Sequence, residues 1–155
     1  MASLTTIRMS IAAQTAENTL PALSASAEYL DTINPPMLLV IPRAPVAKIG
    51  VCLGEGLLDA AGLPVSPTEF TIAGFLVVAR ADTMANVQDN LDAWLGFENI
   101  PGTGPVSVAM AIAMDPTLGG TVEWCETTVI DGYGPVEWAG AMYFGARINW
   151  HVSAR

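Results

Sequence analysis

The run Met142–Ser153 alternates apolar and polar side chains with a clean period of two. Met142, Phe144, Ala146, Ile148, Trp150 and Val152 fall on one face, against Tyr143, Arg147, Asn149, His151 and Ser153 on the other. An extended chain turns successive side chains to opposite faces, so this run predicts a long strand with one face against a core. The preceding run predicts an antiparallel neighbour, with Val122, Trp124, Thr128 and Ile130 on one face. Asp131-Gly132 is a tight-turn signal between the two strands. Ala139-Gly140 predicts a bend or bulge.

The stretch Gly104–Ile130 joins this hairpin to the rest of the chain. Its first part, Pro105 to Met114, predicts a short helix that is apolar nearly all round, opened by Pro105 and ended by Asp115-Pro116. Such a helix must be covered on every side, by its own domain or by another subunit. Gly119 and Gly120 predict a glycine-hinged turn into the strand, with a positive φ at Gly119.

Earlier in the chain, residues 1–23 hold a helical segment in which Leu4, Ile7 and Ile11 share a face and Ser3 caps the first turn. The small residues Ser24–Ala27 lead into extended chain, Asn34-Pro35-Pro36 breaks it, and Met37–Ile41 predicts a short strand. Thr68–Ala79 predicts a strand whose second half is apolar on both faces, as at the centre of a sheet. Asp82 or Thr83 caps a helix that runs to Gly96 and buries Val87, Leu91, Trp94 and Leu95, with Gln88, Asp89 and Asp92 in water. Residues 43–66 are interrupted by glycine and proline at every period, which predicts a long irregular loop or hairpin. Together these elements predict one α+β domain over residues 1–155: a mainly antiparallel sheet of four to five strands, packed by two to three helices.

Composition limits what such a domain does. Hydrophobic residues are 52% of the chain and charged ones 14%, well below the usual quarter or so. A monomer would leave much apolar surface wet, so self-association is the economical expectation. Six Lys and Arg stand against fifteen Asp and Glu, for a formal charge of −9. The basic residues are scattered singly, which speaks against binding to nucleic acid through phosphate contacts. An acidic wall lets DNA pass without adhering; the same charge also serves simply to keep an apolar protein in solution. The apolar runs are far shorter than the ~20 residues of a membrane span. The N-terminus has no signal-peptide core, and the expectation is a soluble protein of a reducing compartment.

Candidate chemistry is sparse. Cys125, His151 and Asp131 lie on strands that the hairpin brings together, yet nothing in their spacing enforces hydrogen-bond reach. The alternative is a buried thiol beside a surface histidine. Gly102-Thr103-Gly104 resembles a phosphate cradle at a helix start, but lacks the lysine and hydroxyl of a P-loop. Cys52 and Cys125 have no metal-ligand spacing, and the one histidine and scattered carboxylates make no cluster. No catalytic, cofactor or metal residue is assigned. Of the four tryptophans, Trp94 and Trp150 sit in core periods, while Trp138, beside the Ala139-Gly140 bend, is the preferred interface aromatic. Val106, Met110 and Met114 are the other candidate contacts with a neighbouring subunit or partner.

Several runs resemble a known family. They are Ile33-Asn34-Pro35-Pro36, Leu91-Asp92-Ala93-Trp94-Leu95, Ser107-Val108 with Ile112, and above all Asp115-Pro116-Thr117-Leu118-Gly119-Gly120-Thr121-Val122. Tyr133-Gly134-Pro135-Val136 and Tyr143-Phe144-Gly145-Ala146-Arg147 extend the likeness toward the C-terminus. From about residue 33 the chain resembles the tail terminator proteins of long-tailed bacteriophages, especially those infecting actinobacteria. That resemblance implies a small α+β domain forming a homohexameric ring at the head-tail junction of the virion. The ring caps the head-proximal end of the tail tube and stops its polymerisation. It docks the head connector or stopper protein and lets genomic DNA pass through its lumen. Assembly takes place in the host cytoplasm, with no cofactor and no membrane partner. Two other readings stay open: a neighbouring head–tail joining or tail tube protein of similar fold, and a small enzyme or ligand-binding domain using the polar sheet face near His151.

Overall fold

The alternating C-terminal run forms a strand that lies between two long antiparallel partners in a computed structural model of the chain. Residues 3–20, 23–28, 30, 32–40, 69–80, 87–96 and 106–153 are described. In chain order the elements are α1 (Leu4–Asn18), β1 (Ser24–Ser26), β2 (Met37–Leu39), β3 (Glu69–Arg80), α2 (Val87–Leu95), α3 (Val108–Met114), β4 (Trp124–Trp138) and β5 (Ala141–Ser153). The five strands make one sheet in the order β1-β2-β3-β5-β4. Only the β1–β2 pair is parallel. The α+β class read from the sequence is therefore the observed one.

β3 occupies the middle of the sheet, and its double-sided apolar run has a direct cause. Ile72, Leu76 and Val78 enter the larger core with the helices, together with Ala146, Ile148, Trp150 and Val152 of β5. Phe75 and Val77 point the other way, into a second cluster with Ile33, Leu39, Val136, Trp138 and Tyr143. That second cluster alters the reading of β5 at its start. Tyr143 is buried there, while Met142, expected inward, is exposed.

The hairpin differs most from expectation. Asp131-Gly132 is not the turn; β4 continues through it to Trp138. The turn is Ala139-Gly140, with φ of 48° and 80°. Two consecutive positive φ values match the twist of a tight antiparallel hairpin. The glycines at 132 and 134, with φ of 60° and 137°, instead accommodate a register shift between Asp131 and Gly134. A second shift lies between Thr127 and Val129. Because side chains alternate, each extra residue moves the following ones to the other face. Cys125, ahead of the first shift, and Ile130, beyond it, therefore both meet the larger core despite their odd spacing, whereas Trp124 and Thr128, read from the sequence on one face with Ile130, are exposed.

The helices cover the larger core. Ser3 caps α1 as its sequence predicts, its Oγ accepting from the Thr6 amide at 3.1 Å. The helix stops at Asn18, short of residue 23, because Thr19 turns extended and Leu20 pairs with Val106 through two backbone hydrogen bonds. The same pairing delays α3. Val106 is in the bridge, and Ser107, not Pro105, is the cap, its Oγ accepting from the Met110 amide at 3.1 Å. α1 then lies along α3, where the Gln14 amide donates to the Ala111 carbonyl at 3.0 Å. In α2, Leu91, Trp94 and Leu95 are buried and Asp92 is exposed. The expected 43–66 loop, the Asp82 or Thr83 cap, Cys52, the Gly102-Thr103-Gly104 turn and Pro105 all lie outside the described residues, as do the side chains of Val87, Gln88 and Asp89.

β3 and β5 approach closely enough that Gly145 has no room for a side chain. A Cβ there would stand 1.9 Å from the Leu76 carbonyl oxygen. Gly145→Ala is expected to destabilise the fold by about 3 kcal/mol, the upper end of overpacking costs. Thermal or urea denaturation measures it, and an unchanged midpoint would contradict the close approach.

Candidate functional site

The three residues weighed as a nucleophilic triad do not come together. Cys125 pairs with Val152 and points into the core, whereas His151 pairs with Glu126 and lies on the opposite face. Burial, with a smaller contribution from the Glu126 charge, pushes the Cys125 thiol up to about 12, so no thiolate is available near neutral pH. Asp131 is engaged elsewhere: Arg147 grips both its oxygens, Nε at 2.7 Å and the terminal nitrogen at 2.6 Å. The Asp131 hydrogen bond holds the Arg147 guanidinium charged more firmly, and the two are direct cross-strand partners at the last position before the second register shift of β4. Both side chains are over a third exposed, so the pair contributes little net stability.

The segment Asp115–Val122 has a defined internal construction. Asp115 ends α3 and turns its carboxylate back on the following residues. One oxygen accepts from Thr117 Oγ1 at 2.6 Å and from the Thr117 amide at 3.1 Å; the other accepts from the Gly119 amide at 2.8 Å. Thr117 Oγ1 accepts in turn from the Gly120 amide at 3.2 Å. Leu118, Gly119 and Gly120 all have positive φ, of 51°, 69° and 83°. Leu118 tolerates this because its side chain is anchored in the core. Gly119 and Gly120 are exposed, with nothing near an added Cβ, so backbone conformation alone selects glycine there. Val122, fully buried, receives the chain on the way to β4.

The four candidate contact residues separate. Val106 is buried in the bridge to Leu20, and Met110 is half-buried on α3. Met114, in the last turn of α3, is 50% exposed. Trp138 is not at a rim: it is 4% exposed, its indole N–H donates to the Leu30 carbonyl at 2.8 Å, and its ring packs near Phe75. The second cluster covers it, and a sequence reading that knew only one core had no means of seeing this. Trp124 is the tryptophan at the surface, 49% exposed. The buried alternate position of Cys125 was the signal for that placement. Met9 and Leu20 are further exposed apolar side chains.

Among the described residues, the α3 helix is therefore covered on one side only. Val108, Ala111 and Ile112 are buried, while Ala113 and Met114 face outward. No helix of the described residues is long and apolar enough to cross a membrane. No protein-family model, curated protein or solved structure matches this chain.

The Asp115 turn carries a pH signature. The Thr117 hydroxyl first, then the Gly119 amide, hold the Asp115 carboxyl below its ordinary value of 3.8, with the Thr117 amide adding to them. Its stabilising effect is thus complete above 3.8 and is lost as pH falls through the lower folded value. Asp115→Asn is expected to flatten the melting temperature's acid dependence in that window, and an unaltered slope would refute the assignment. Gly119→Val should cost roughly 1–2 kcal/mol for an L-residue forced left-handed, with Gly119→Asn costing less; equal melting temperatures for the two variants would contradict it.

Proposed function

We propose that this chain is a phage tail terminator: a virion protein at the head-tail junction, forming a homohexameric ring on the head-proximal end of the tail tube. The observation that carries the reading is the likeness of the Asp115–Val122 run to that family, with the shorter runs on either side of it. The domain's character supports it. The α+β domain exposes Met9, Leu20, Met114 and Trp124, large apolar side chains of the kind that subunit contacts cover. A ring needs heterologous contacts that close on themselves. Met114 and its neighbours on the outer side of α3 are the contacts proposed for that role.

Termination then follows from asymmetry of the two ring faces. One face binds the last ring of tube subunits; the other offers no copy of the tube surface and instead receives the connector. The net charge of −9 gives the lumen a way to repel the phosphate backbone as DNA passes. No residue has a catalytic role in this reading.

Size-exclusion chromatography with light scattering is expected to show a ring of several subunits, and electron micrographs of phage lacking the protein should show abnormally long tails. A strictly monomeric protein that leaves tube ends uncapped would overturn the reading; normal tail lengths would favour a neighbouring joining or tube protein. Met114→Asp places its charge at a half-exposed position, so the monomer should keep its circular dichroism and melting temperature while ring formation is lost. Rings that persist in Met114→Asp would exclude this end of α3 from the subunit contact.

A further inference from the structure

β4 is an edge strand fifteen residues long, and most of that edge is closed to further pairing. Its register shifts at Thr127/Val129 and at Asp131/Gly134, and Pro135 has no amide hydrogen to donate. Bulges and edge prolines are the means by which sheets resist addition of another strand. Trp124 to Thr127, ahead of the first shift, is the uninterrupted part, and there β4 is paired with β5 alone among the described residues. Alternate residues of such an edge turn their N–H and C=O groups outward, free to pair.

Beside this run lies a groove of about 280 Å³. Ala109, Ala113 and Pro116 form one wall, and the other is made by the four consecutive residues Trp124–Thr127. Consecutive residues of a strand belong to opposite faces, so a groove touched by all four runs along the edge of the strand, not over one face. The walls are mainly apolar, with the small side chains of α3 leaving the space. A peptide backbone supplies the donors and acceptors that the strand edge needs.

The charge around the groove selects the occupant. Glu126 is exposed and has no ion-pair partner among the described residues, and Glu123 is exposed beside it. β4 carries Glu126, Asp131 and Glu137 and no lysine or arginine, so a second copy of β4 would set like charges against each other. The six basic residues of this chain are scattered singly, and none of its runs alternates apolar with basic side chains.

We infer that the edge Trp124–Thr127 and the α3 groove together bind an extended segment of a different protein, one that alternates apolar and basic residues. The segment adds to β4 as a short strand. Its apolar side chain enters between Ala109, Ala113 and Pro116, and its basic side chain on the other face meets Glu126. The groove adjoins the outer side of α3 and includes Trp124, both proposed above for the ring contact, so the peptide is tested against the monomer as well as the oligomer.

The probe is an acetylated, amidated heptapeptide alternating lysine with leucine or valine, added to the full-length protein. Trp124 fluorescence and backbone amide shifts report binding, and light scattering follows oligomeric state in the same samples. The lysine peptide should shift the amides of 124–127. The version with glutamate for lysine should bind more weakly, by up to roughly fivefold, the upper range for one cross-strand charge pair. Glu126→Lys should reverse that preference. Ala113→Trp, at an exposed position where folding is undisturbed, should fill the groove and abolish binding of both peptides. Equal binding of the two peptides, or an unchanged preference in Glu126→Lys, would overturn the inference. So would amides 124–127 already protected in an oligomer and freed on dilution to monomer, since a second copy would then be the occupant. The wild-type light-scattering result alone decides the ring, so the two proposals fail separately.

Discussion

The close backbone approach of β3 and β5 is the constraint from which the rest of this structure follows. Gly145 lets the β5 backbone pass directly beside the Leu76 carbonyl, and Gly74 leaves room for the Trp150 ring to lie over β3. With any side chain at either position, one strand would be pushed off the other. Brought together, the two strands bury Leu76, Ala146, Ile148, Trp150 and Val152 completely on one face. That apolar surface is what α1, α2 and α3 cover. Burial of this kind, at about 25 cal/mol per Å² of apolar surface, is the main favourable term available to the domain.

The same central pair gives the sheet two buried faces. Phe75 and Val77, which cannot also point toward the helices, are enclosed by Ile33 and Leu39 from one direction and by Val136, Trp138 and Tyr143 from the other. This second cluster holds the far end of the hairpin and so fixes where β4 can run. β4 is left at the edge, with its first residues beside α3 because only the Asp115–Val122 turn separates the two elements. The exposed apolar residues Met114 and Trp124 therefore flank one compact turn, held by the Asp115 carboxylate and its three hydrogen bonds. The Asp115–Val122 turn is also what sets the outer side of α3 near the start of β4.

Legibility in the sequence followed the range of the interaction. The caps at Ser3, the apolar stripe of α2, the double-sided β3 and the inward residues of β5 from Phe144 onward were all readable, because each depends on neighbours a few positions away. The position of the hairpin turn was not. Asp131-Gly132 and Ala139-Gly140 both suit a tight turn, and only pairing of β4 with the full length of β5 chooses the second. The start of α3 was likewise decided at long range, by the backbone bridge between Leu20 and Val106. Of the candidate surface residues, Met114 was readable from its place at the end of a short helix. Trp138, expected at the rim, is buried because the second cluster covers it, while Trp124 has no such cover among the described residues; the two one-residue shifts of β4 cancel between them and do not separate the two.

By itself, then, the sequence determined the class of fold, the number of long strands, the helix stripes and the glycine requirement of the Asp115–Val122 turn. These are consequences of local period and backbone conformation, which no partner can alter. Tertiary structure alone decided where β4 ends, which tryptophan is buried and which part of the sheet edge stays open. A side chain's period says only that it shares a face with its alternate neighbours. Whether that face is covered depends on what the rest of the chain brings to it, and here a second core on the far side of the sheet made the difference.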